Sequence, residues 1–161
     1  MAVVERVQAC NAFTISGASP FKLTFPEAAS QSFKAGEAVY LNDGKVTVCA
    51  NNATTILGFA VADATGITDA DCEVFIATGD LVLEMNVYHG TAESAVTAIT
   101  QPGTPYAIEV VSNKVYCAID EDGADAVVVI GLSPRDNVGD QYGRVLVQVV
   151  GAARQLGGIV S

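Results

Sequence analysis

The chain has 161 residues, half of them apolar, with 18 acidic against 8 basic side chains and a formal charge of −10. With a mean hydropathy of +0.38, this length excludes collagenous, coiled-coil and disordered architectures. The longest unbroken apolar runs, such as 126–132, have only seven residues, well short of the roughly 18 that a membrane-spanning helix needs, so no membrane partner is expected.

Glu5 and Arg6 interrupt the apolar stretch at the start, so no leader peptide is expected and folding is assigned to the cytoplasm of the producing cell. The first fifteen residues nevertheless carry Val3, Val4, Val7 and Phe13. A segment that merely frays has little reason to be apolar, so residues 1–15 are expected to form an arm that orders against a neighbouring chain. The alternative is that they complete the protein's own sheet. Residues 16–161 then form a single β domain.

From residue 21 onward apolar and polar residues alternate with period two, and long 3.6-residue periodicity is nearly absent. Strands are expected at 21–25, 38–41, 45–49, 56–61, 72–77, 81–88, 106–111, 114–119, 126–132 and 144–150, with short helices at 26–31 and 91–99. In 81–88, Leu81, Leu83, Met85 and Val87 share the face expected in the core. Val82, Glu84, Asn86 and Tyr88 share a face expected to be wetter. Tight turns are expected at Asn42, Asp43 and Gly44 and at Ser112–Asn113, each between two strands. The fold class is therefore all-β, a small barrel or sandwich.

AGEAVYLNDGKVTVC followed by ILGFAV, and PGTPYAIEVVSNKVYC followed by AVVVIGL, have the same plan. Each runs on through a polar turn into another strand, CEVFIA or GRVLVQVV. One hairpin-based unit used twice, in halves 35–88 and 103–150 around a shared closed core, accounts for the pattern.

Residues 63–125 hold twelve carboxylates and one cation, Lys114. That block repels phosphate, so no nucleic-acid partner is expected; it is a solvated face or meets a basic protein surface. Cys10, Cys49, Cys72 and Cys117 form no CxxC and lie far from His89, the only histidine. They are expected to be buried thiols. The chain has no GxSxG elbow around His89 and no phosphate-cradling glycine motif, so neither catalytic residues nor a cofactor are expected, although His89 with Ser94 or Asp80 is the combination to check. Asp69, Asp71 and Glu73, and likewise Asp120, Asp122 and Asp125, are read as solvated turns, with calcium binding as the alternative.

Residues 133–145, SPRDNVGDQYGRV, place Arg135, Asp136, Asp140 and Arg144 around Gly139 and Gly143 between two apolar strands. Either these charges pair with one another or Arg135, Tyr142 and Arg144 form a contact loop.

Gly36, Val39 and Leu41 fit a GxxVxL hairpin, and Ile56, Gly58, Ala60, Asp63 and Ala64 fit an IxGxAxxDA strand, with Gly79 before the next strand. In these features the chain, over roughly residues 35–150, resembles the capsid decoration (head-stabilising, cement) proteins of tailed bacteriophages. The resemblance implies a noncatalytic virion protein on the capsid exterior, a homotrimer whose partner is the major capsid protein. The alternatives are another phage head or tail protein, or a small ligand- or calcium-binding β-domain.

Overall fold

The same winding of five strands occurs twice along the chain. In the computed structural model, which describes residues 2–6, 11–121 and 124–157, the first set is β2 (Lys22–Pro26), β3 (Ala38–Asn42), β4 (Lys45–Val48), β5 (Gly58–Ala60) and β6 (Asp71–Ile76). The second set is β7 (Leu81–Tyr88), β8 (Pro105–Val111), β9 (Lys114–Ala118), β10 (Val127–Leu132) and β11 (Arg144–Val149). The first runs in space as β2-β6-β5-β3-β4 and the second as β7-β11-β10-β8-β9, one order displaced by five strands.

Neighbours within each set are antiparallel, and a parallel seam joins the ends of the second. Val87 pairs with Cys117 and Tyr88 with Ala118, closing β9 onto β7 as a barrel. The first set is a five-stranded sheet whose end strands meet at one point, the parallel bridge from Glu27 to Val46, so it curls into a barrel closed by that bridge alone. Closure removes the raw strand edges that invite aggregation. A further strand, β1 (Asn11–Thr14), pairs with residues 81–84 of β7, on the edge that β9 takes up at residues 87–88.

The all-β expectation holds, and every one of the ten predicted segments overlaps a strand. Both hairpins turn as expected: Asp43 and Gly44 have φ of 50° and 77°, Ser112 and Asn113 of 51° and 62°. Two successive positive φ values match the right-handed twist of the flanking strands.

Four expectations are corrected. Residues 26–31 form no helix: Ser30 takes a positive φ, and the Glu27 and Ala28 amides donate to the Ala70 and Val46 carbonyls. Of 91–99 only one 3-10 turn exists, at Ala92–Ser94. The repeating unit begins at β2 and β7, so 81–88 opens the second half and does not close the first. Finally, each barrel has its own core.

Phe33, Val39, Val46, Leu57, Val74 and Ile76 fill the first barrel. Leu83, Met85, Val87, Ile108, Val127 and Val147 fill the second, in a cluster that extends to Ile56, Phe59, Ala38 and Cys49 of the first half. Strand alternation explains the division: Leu57 points into its own barrel while Ile56 points into the joint. Burying side chains such as Ile56 and Phe59, at 0% and 1% exposure, contributes about 1.5–3 kcal/mol each. The two barrels are thus packed on each other through an apolar joint.

Gly58 lets β5 lie close against β6 within the first half. A Cβ there would lie 1.8 Å from the Phe75 carbonyl oxygen, which is backbone and has nowhere to go. Gly58→Ala is expected to cost about 3 kcal/mol or more. Gly131→Ala, whose Cβ would meet only the Leu146 side chain at 4.0 Å, is expected to cost less than about 1 kcal/mol. Urea unfolding of the two variants checks this.

Cys49, Cys72 and Cys117 are free and buried, as expected; Cys10 lies outside the described residues. Burial first, then the Glu37 charge, pushes the Cys49 thiol up to about 12. Burial and then Glu27 push Cys72 up to about 11, and burial raises Cys117 further. Since only the thiolate is reactive, these three cysteines are expected to resist an alkylating reagent at pH 8 in the native protein and to react fully in denaturant. Peptide mapping by mass spectrometry reads the difference.

Candidate partner-contact site

Strand β7 is buried on both faces, which corrects the expectation of a wet side carrying Glu84 and Asn86. Their exposures are 6% and 1%, so each polar atom needs a protein partner. The Asn86 amide donates to the Glu5 carbonyl at 3.1 Å and to the Tyr142 carbonyl at 2.7 Å. Glu84 accepts from the Ser133 hydroxyl at 2.7 Å and meets Arg135 at 3.3 Å. One strand face thereby holds both the N-terminal segment and the loop 133–143.

These two pieces also hold each other. Val4 N–H donates to the Gln141 carbonyl and Gln141 N–H to the Ala2 carbonyl, both at 2.8 Å, a parallel bridge between Val3 and Gln141. On the far side Gln141 bridges Val96, Tyr142 N–H donates to Ala95 at 2.6 Å and Gly139 N–H to Thr97 at 3.0 Å. The Arg6 guanidinium lies 4.6 Å from the centre of the Tyr142 ring. Three chain segments, 2–6, 95–99 and 137–142, thus lie side by side.

The charges in the loop are committed. Arg144 donates to Asp136 from its backbone N–H at 2.9 Å, from Nε at 2.7 Å and from Nη2. Asp140 accepts from the Asn137 amide at 3.0 Å and the Ala2 amide at 3.3 Å. Burial, then the Glu84 charge, pushes the Asp136 carboxyl up, against the pull of Arg135. Of the four charges in 133–145, Arg144 and Asp136 pair with each other, whereas Arg135 reaches out of the loop to Glu84 and Asp140 accepts backbone amides. Arg144, 13% exposed at its side chain, holds the base of the loop.

What reaches solvent here is aliphatic. Val3, Ile99 and Val138 are 68%, 78% and 57% exposed, one on each of the three adjoining segments. Of the residues singled out in the sequence, Val3, Val4, Arg135, Tyr142 and Arg144 are brought together. Phe13 stands apart, on β1 opposite Val82, and Val7 lies outside the described residues. Residues 11–14 complete the protein's own sheet, which is the alternative to an arm. Ile99 and Val138 were not singled out; a lone aliphatic in DNVGD is the signal for Val138.

Other candidates do not converge. His89 Nδ1 accepts the Thr91 amide at 2.9 Å, while Asp120, 3.9 Å from that nitrogen, accepts the Gly90 amide at 2.7 Å. Asp80 is bonded by Ser16 through its amide and hydroxyl. Asp69 and Glu73 pair with Lys45 and Lys22, and Asp122 lies outside the described residues. Among the described residues no three His, Cys, Asp or Glu side chains are grouped to hold a metal ion.

A scan against protein-family models and searches of curated proteins and of solved structures found no match.

Removing Arg144 leaves Asp136, with 6% side-chain exposure, buried without its cation. Arg144→Ala is expected to cost about 3–5 kcal/mol. Lys34→Ala, whose pair with Asp63 is exposed on both sides at 46% and 58%, is expected to cost within about 1 kcal/mol because solvent screens the pair. Thermal and urea unfolding of both variants measures the contrast.

Proposed function

We propose that the protein is a structural virion component of a tailed bacteriophage. It binds the outer surface of the capsid and stabilises it as a homotrimer against the major capsid protein. The reading is noncatalytic. It rests first on the resemblance carried by Gly36, Val39, Leu41, Ile56, Gly58, Ala60, Asp63, Ala64 and Gly79.

The observation that carries it is the end of the molecule where Val3, Ile99 and Val138 emerge from three hydrogen-bonded segments. Exposed aliphatic side chains on a frame whose charges are already paired suit a protein contact: little side-chain order is lost on docking, and apolar anchors carry the energy. Many weak copies on one lattice reinforce one another through effective concentration. The net charge of −10 keeps the free protein soluble until it meets the shell.

Co-sedimentation with expanded capsids of the phage tests this. Ile99→Asp and Val138→Asp are each expected to weaken binding at least tenfold while leaving the unfolding midpoint unchanged, since both side chains already face water. Capsid binding unaltered in both variants would remove this surface from the proposal, and failure of the unaltered protein to bind any capsid would remove the function.

A further inference from the structure

A cleft of about 490 Å3 opens at the joint between the two barrels. Its first-barrel side is formed by Ser32, Phe33, Glu37 and Val48, and its second-barrel side by Val110 and Asn113. Glu37 is 1% exposed. Its Oε2 accepts two hydrogen bonds, from the Lys34 amide at 2.7 Å and from the Asn113 side-chain amide at 2.9 Å. No hydrogen bond from a described residue reaches Oε1, and none of the ion pairs among the described residues involves Glu37. Lys34, its neighbour, turns its ammonium to Asp63 at 3.6 Å.

A carboxylate buried with neutral donors on one oxygen lacks the counter-charge that normally accompanies such burial. We infer that this cleft is a binding site for an alkylammonium group, which completes Glu37 from the open side. Phe33, Val48 and Val110 offer apolar wall to a methylene stem, and Ser32 and Asn113, which also line the cleft, carry further acceptor oxygens. An ammonium is a compact point charge that one free oxygen can satisfy. A guanidinium presents a fork that needs both oxygens of a carboxylate, and here Oε2 is taken. The volume lies in the range of small-ligand sites, and the acidic surface concentrates cations near it. The inference is independent of the capsid reading. The ammonium belongs either to a lysine side chain of another protein chain or to a free primary amine.

The test is a titration of the full chain with n-butylammonium chloride and, separately, with a glycine–serine peptide carrying one lysine, against sodium chloride at equal ionic strength. Backbone amide resonances of Glu37, Val48, Val110 and Asn113 report binding. Saturable shifts confined to these residues are expected with at least one probe. Affinity is expected to fall at least tenfold in Glu37→Gln, whose amide oxygen still accepts from Lys34 and Asn113, and tenfold when n-propylguanidinium replaces the amine. Tighter binding of the peptide assigns the site to a protein lysine, and binding of butylammonium alone assigns it to a free amine. Ser32→Lys, which brings a tethered ammonium to the cleft wall without altering the bonds to Glu37, is expected to block both probes. No saturable shift with either probe, undiminished binding in a folded Glu37→Gln, or undiminished binding in Ser32→Lys would overturn the inference.

Discussion

Strand β7 has both faces buried and both edges paired, and the placement of the N-terminal segment and the loop 133–143 follows from that. Its inner face supplies Leu83, Met85 and Val87 to the second core. One edge is taken by β11, the other is divided between β1 and β9. The outer face carries two strongly polar side chains, and covering them demands partners with good geometry, because an unmet buried donor or acceptor costs about 1–3 kcal/mol. The loop 133–143 supplies Ser133, Arg135 and the Tyr142 carbonyl; the N-terminal segment supplies the Glu5 carbonyl. The polar face thus positions two distant chain segments together.

The first barrel solves a similar problem with a similar device. Glu27, just beyond β2 and 1% exposed, accepts the Thr65 amide and hydroxyl at 2.9 Å and the Gly66 amide at 2.7 Å. It thereby fixes the connection between β5 and β6, as Glu84 fixes the connection between β10 and β11. In both halves a carboxylate on or just after the opening strand anchors the loop before the closing one. What differs is the seam. The second barrel closes through two paired residues and the first through one bridge, so the cores are unequal partners in one topology.

Much of this was legible in the alternation of apolar and polar residues. The two hairpins, with turns at Asp43–Gly44 and Ser112–Asn113, announced the repeat, because a tight turn between alternating segments has few structural readings. The opening strand of each unit was harder to place. The residues between the opening strand and the hairpin differ in number between the halves, which hid that 81–88 is the counterpart of 22–26. Asn11–Thr14 escaped notice because four residues with one large apolar side chain show no periodicity of their own. In β7 alternation misled: polar residues on every second position imply water when nothing else covers them, and here the cover comes from residues 2–6 and 133–143. The pairing of Arg144 with Asp136 was readable as opposite charges in one loop, but the emergence of Ile99 beside Val138 depends on contacts between segments 40 residues apart along the chain.

The central claim is that Asn86 and Glu84 fasten the N-terminal segment and the loop as one unit on β7. Native-state hydrogen exchange of Asn86→Ala tests it most directly. The account predicts that the amides of Val4, Gln141 and Tyr142 lose protection together, at least tenfold, while those of β3 and β6 in the first barrel keep theirs. Unchanged protection at Val4 and Gln141, or an equal loss throughout both barrels, would contradict it.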